Sequence, residues 1–117
     1  MNIEEFRLYC LDKKGVTEAF PFDRNTLVFK VMGKMFALTD VQSYSFINLK
    51  CDPEKAIELR EQYDYVKPGY HMNKQLWNSV YIDWQLENKL LEEWIDDSYN
   101  LVAESLTKKL KEDLNNI

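Results

Sequence analysis

The chain has 117 residues, of which 45% are hydrophobic and 30% charged, with three glycines and three prolines. That profile excludes a disordered tail, a collagen-like repeat and a Pro-rich linker. At 14.0 kDa it makes one domain, residues 1–117, which mass scaling folds to roughly 6,700 Å² of surface, enough burial to need no disulfide or metal staple. The net charge of −5 argues against indiscriminate attraction to phosphate or anionic membrane.

In chain order, Asn2 and Glu5 form a capping box, and Ile3, Phe6, Tyr9 and Cys10 recur at helical spacing. Gly15 is expected to end this helix in the left-handed region. Phe20-Pro21-Phe22-Asp23 is a turn-rich approach. Three strands follow over Thr26–Val31, Met35–Thr39 and Phe46–Lys50, the first two joined by a tight turn at Met32-Gly33-Lys34. Alternation places Leu27, Phe29, Val31, Ile47 and Leu49 on one apolar face. Val28, Lys30, Phe46, Asn48 and Lys50 fall on the other.

Asp52-Pro53-Glu54 is a helix start, with Asp as N-cap and Pro at the first turn, and the helix runs to about Tyr63. Pro68-Gly69 breaks the chain again, and Trp77–Ile82 is a fourth strand. Leu90, Leu91, Trp94, Ile95, Leu101 and Val102 form an apolar stripe that predicts an amphipathic helix over 86–104. Thr107 caps a short terminal helix through Leu114. The expected fold is α+β, an antiparallel meander with helices on one face in the order α-β-β-β-α-β-α.

Cys10 and Cys51 are isolated thiols, and the N-terminal residues lack the basic and apolar blocks of a signal peptide. Both features lead us to expect a cytoplasmic protein without a membrane span. Charge is uneven along the chain. Residues 1–23 carry three positive and five negative groups, residues 24–80 eight and six, and residues 81–117 four and nine. The middle is mildly basic between acidic ends.

Gly15-Val16-Thr17-Glu18, Phe20-Pro21-Phe22-Asp23 and the run Leu27–Ala37 resemble the MmcQ/YjbR family of small bacterial proteins. So do Leu49–Glu54, Pro68–Lys74 with Trp77, and Ser98-Tyr99, in order over nearly the whole chain. The resemblance implies a CyaY-like (frataxin-like) α+β sandwich and a DNA-binding role without assigned catalytic residues. Two departures stand out: Trp84-Gln85 where relatives often have a glycine-containing turn, and Thr107 where proline is common.

His71 is the only histidine, so neither a His-rich metal site nor a two-histidine relay is available. No activated nucleophile, metal cluster or phosphate-cradling glycine loop is present, so we expect a non-enzymatic protein without a cofactor. Paired carboxylates on the last long helix (Glu92 with Asp96, Glu93 with Asp97) read as a solvated face. Long cationic side chains on a strand face suit phosphate. The candidate nucleic-acid contacts are therefore Arg24, Lys30, Lys34, Lys50, Lys67, His71, Asn73 and Lys74. Binding to DNA is expected to be modest, salt-sensitive and weakly sequence-selective. The alternative is a protein-interaction or chaperone-like adaptor module, which the net acidity suits.

Overall fold

A computed structural model describes all 117 residues. Helix α1 (Ile3–Leu11) starts at the capping box, with Asn2 Oδ1 accepting from the Glu5 amide at 2.8 Å and Glu5 Oε1 from the Asn2 amide at 2.9 Å. Asp12 caps its end; Gly15, at φ +69°, lies three residues further on and opens the next strand instead. That strand, β1 (Val16–Ala19), is followed by β2 (Thr26–Val31), β3 (Lys34–Asp40) and β4 (Phe46–Lys50). Helix α2 (Pro53–Gln62) leads to the short β5 (Val66–Pro68), then β6 (Trp77–Tyr81), α3 (Asn88–Glu104) and α4 (Lys108–Asn115). The fold class is α+β as expected, with β1 and β5 added to the four anticipated strands.

All six strands form one antiparallel sheet in the order β1-β2-β3-β4-β6-β5. The β2–β3 turn is of the mirror-image type, with Met32 at φ 49° and Gly33 at φ 88°. Its twist matches that of the flanking strands, and only glycine takes the second position without strain. β5 returns as a hairpin with β6 inserted between it and β4, which leaves Pro68 on an edge where its missing N–H costs no ladder bond.

One face is covered by the helices. Phe6 and Cys10 of α1, Leu59 of α2, and Leu91, Trp94, Ile95 and Val102 of α3 bury against Leu27, Phe29, Ile47 and Val80. Burying each large side chain contributes about 1.5–3 kcal/mol. Ser98 of α3 sits in the middle, accepting from the Lys50 amide at 2.8 Å and donating to the Phe36 carbonyl at 2.5 Å. The register sets those two backbone groups opposite one another just past the end of the β3–β4 ladder, so the hydroxyl bridges the gap. Thr107, the departure noted in the sequence, N-caps α4 by accepting from the Leu110 amide. No helix is long and apolar enough to cross a membrane.

Candidate nucleic-acid interface

The other face of the sheet has no helix. Cα pairing lines up Ala19, Val28, Leu38, Asn48, Ser79 and Lys67 across the middle. Thr26, Asp40, Phe46 and Tyr81 lie towards one end, and Lys30, Met35, Lys50 and Trp77 towards the other. Val28, Leu38 and Trp77 make a small second cluster with Met35, Met72 and Leu76. Trp77 is therefore buried, on the side away from the helices.

What covers this cluster is the β5–β6 loop, residues 69–76. Tyr70 N donates to Ser79 Oγ at 2.9 Å, and Asn48 Nδ2 donates to the Tyr70 carbonyl at 3.2 Å. Ser79 donates in turn to Asn48 Oδ1, which closes the network. At the other end of the loop, Arg60 of α2 donates through Nε to Asn78 Oδ1 at 2.7 Å, and through its second nitrogen to the Lys74 carbonyl. Gly69 lets the loop lie flat, because a Cβ there would come within 2.8 Å of Trp77 Cβ and 2.9 Å of its carbonyl oxygen. Held this way, His71 sits at φ 57°, a left-handed conformation that costs a non-glycine residue about 1–3 kcal/mol. Such strain persists where neighbouring contacts over-determine it.

Between this loop and the β1–β2 loop runs an open groove of ≈ 630 Å³, inside the usual range of about 300–1,000 Å³ for ligand sites. Its rings are Phe22, Phe46, Tyr70 and His71, and its floor includes Leu38 and Asn48. Phe46 stands edge-on to Tyr70 at 5.7 Å between centroids, and Tyr70 lies 4.1 Å from His71. Phe22 and Tyr70 are 65% and 55% exposed. Asp23 and Asp40 are the charged members of the lining. Asp23 accepts from the Thr26 and Asn25 amides, which holds its carboxyl below the usual carboxylate range. A separate void beneath Cys51, between α2 and α3, measures only ≈ 20 Å³, room for about one water.

The eight candidate contacts divide. Lys30, Lys50 and Lys67 lie on the open face by register, and Arg24 is exposed in the loop beside Asp23. His71 stands in the groove wall. Lys34, by contrast, pairs with Val31 and so shares its helix-covered side, where Nζ reaches the Ser105 carbonyl at 3.4 Å. Lys74 donates to Gly69 O at 2.9 Å within its own loop, and Asn73 Oδ1 accepts from the Gln75 amide. The loop residues therefore hold backbone groups, while the strand lysines stay free. Every ion pair in the molecule includes a helix residue; Arg24, Lys30, Lys50 and Lys67 enter none. Asp96 is bound by Lys13 and Tyr9, and Asp97 by Lys55, so half of the paired carboxylates on α3 are neutralised locally.

Neither thiol lies in an activating environment. Cys10 is fully buried, and burial pushes the Cys51 thiol up to about 11. Sequence reasoning missed Arg60 and the groove. Arg60 could have been noticed as a basic residue in the last turn of its helix, but its targets come from a loop far along the chain. The groove joins two loops separated by about fifty residues of sequence, and no local pattern announces it.

The YjbR family model matches residues 11–101. The uncharacterised protein YbdF of Escherichia coli O157:H7 is 40% identical over 107 residues, 91% of this chain and 88% of that protein. YjbR of Escherichia coli K12, also described as uncharacterised, is 34% identical over 94% of this chain and 98% of its own length. Among solved structures, protein DR2400 of Deinococcus radiodurans, described as a DUF419 domain, superimposes with a TM-score of 0.89 at 38% identity, covering 97% of this chain and 88% of that one. A Pseudomonas syringae protein gives 0.74 at 28% identity, covering 86% and 98%.

Proposed function

The chain belongs to the YjbR family, and from that premise we propose that this member is a non-enzymatic nucleic-acid-binding protein, with DNA the first ligand to test, acting through the open face of its sheet. The observation that carries the reading is the distribution of unpaired charge. On a molecule of net charge −5, four cations around one face have no carboxylate partner. A phosphate backbone supplies the missing anions and releases its counterions in exchange. Exposed rings on the same face, Phe22 and Tyr70, add a sequence-tolerant stacking surface. With one arginine among the four, bidentate guanine readout has little to work with, so selectivity is weak. Two free thiols suit a reducing, cytoplasmic setting.

The test is a salt titration of binding to short oligonucleotides. Four phosphate contacts predict a slope of log affinity against log salt near −3 for single strands. Absence of binding at low salt, or a slope near zero, contradicts the reading.

One observation favours a protein partner instead. Trp84 is 90% exposed beside Ile82 at 37%, on the segment leading to α3. A protein-interaction role predicts a nuclease-insensitive partner that is lost on Trp84→Ser and retained on Lys30→Glu.

A further inference from the structure

The groove and the three strand lysines occupy different parts of the open face, with Arg24 alone beside the groove, and that separation bears on the form of the ligand. We propose, resting on the nucleic-acid reading above, that the groove takes an unstacked base, so that the ligand is single-stranded, and that bases bearing an exocyclic amino group are preferred to thymine or uracil.

The first argument is electrostatic. The groove is lined by Asp23 and Asp40 and by no lysine or arginine. A phosphate is repelled there, whereas Lys30 and Lys50 lie towards the other end of the same face and Lys67 at its β5 edge. The two chemistries of a nucleotide, anionic backbone and flat neutral base, thus find separate places.

The second argument is shape. Phe22 arrives from the β1–β2 loop and Tyr70 from the β5–β6 loop, both more than half exposed, over a floor that includes Leu38 and Phe46. Rings left in water above a floor of Leu38, Phe46 and Asn48 make a stacking platform for a base that is already splayed out. Bases paired inside a duplex present edges in a groove and cannot insert a face. The strained His71 backbone belongs to the same wall, and the Asn48–Ser79–Tyr70 network fixes that wall before any ligand arrives.

The third argument is hydrogen-bond complementarity. Asp40 Oδ1 accepts from the Gln42 and Ser43 amides, and its other oxygen has no protein partner. Asp23 Oδ2 has only the Thr26 hydroxyl. Ionised carboxylates accept and cannot donate. They complement the amino groups of cytosine and adenine, whereas the corresponding thymine or uracil group is a carbonyl oxygen that meets them acceptor to acceptor. Asn48 cannot reverse this preference, since both ends of its amide are engaged.

The experiment is fluorescence anisotropy on the whole protein at low salt, with labelled single strands, the matching duplex, and oligo-dC against oligo-dT. Single strands should bind at least about fivefold more tightly than the duplex, with oligo-dC ahead of oligo-dT. Phe22→Ala and Tyr70→Ala should each lower single-strand affinity about fivefold or more, as loss of one stacking ring does, while the melting temperature falls by no more than about 5 °C. Asp40→Asn should narrow the dC-to-dT ratio. Equal affinity for duplex and single strand with both ring variants silent overturns this inference, and oligo-dT at or above oligo-dC overturns the amino-group preference. In those cases, salt-sensitive binding lost on Lys30→Glu and Lys50→Glu leaves the wider reading standing. No binding of any oligonucleotide removes both.

Discussion

The two faces of the sheet solve opposite problems. The helix-covered face buries a continuous core of eighteen side chains, and the ion pairs of the molecule are made by the helices that cover it. The open face buries three apolar side chains with the polar Asn48 and Ser79, under a loop held by hydrogen bonds, and its strand lysines stay unpaired. Exposed ion pairs contribute only about 0–1 kcal/mol each, so the absence of pairing on one side costs little stability. What it changes is the field presented to a ligand. The covered side makes all five ion pairs of the molecule, although Lys89 and Lys108 there enter none, whereas the open face makes none and keeps its cations available to a ligand.

Substitutions should separate the faces by size of effect. Phe29 is fully buried and packs edge-on against Phe6 at 5.4 Å. Phe29→Ala should therefore cost about 3–5 kcal/mol in a denaturant titration. Tyr70→Ala on the open face should cost less than about 1 kcal/mol. Removing Ser98 strands a buried carbonyl and amide at once, and Ser98→Ala should lose about 1–3 kcal/mol. Arg60→Met frees the 69–76 loop from α2; a loss of about 1–2 kcal/mol is expected, with faster amide exchange confined to that loop. A uniform exchange increase would break the idea that Arg60 positions the loop.

The smallest effect concerns the thiols. With burial holding the Cys51 thiol near 11, alkylation at neutral pH should run roughly a hundredfold slower than for an unperturbed thiol. The linkage has a definite sign. The folded state keeps a proton that the unfolded state releases, so this contribution is complete below the unfolded thiol value, near 8.5, and declines as pH rises towards about 11. Fast alkylation of the native protein, or stability flat across that window, contradicts the burial.

Much of this was readable in the chain itself. Thr26–Val31 and Phe46–Lys50 are strands at the expected bounds, because short runs rich in β-branched, aromatic and aliphatic residues between turn signals mark them. β1 and β5 escaped because they are edge strands of four and three residues, one carrying Glu-Ala and the other Pro68, whose extended form depends on a neighbour. Lys34 shows a finer failure. The sequence places it in the tight turn and among the phosphate contacts, although a two-residue turn makes it the partner of Val31 and so gives it the side facing the helices. Lys30 and Lys50 were legible through period two; Lys67, on the unanticipated β5, and the groove, assembled from distant loops, were not.

The central claim is that the open face, and not the helical one, meets the ligand. Its most direct measurement compares DNA affinity at low salt for Lys30→Glu/Lys50→Glu with that for Lys109→Glu/Lys111→Glu, two pairs of reversals with identical change in net charge. The account predicts that the first pair abolishes binding while the second weakens it only slightly. Equal losses from both pairs, or no loss from the first, would contradict it.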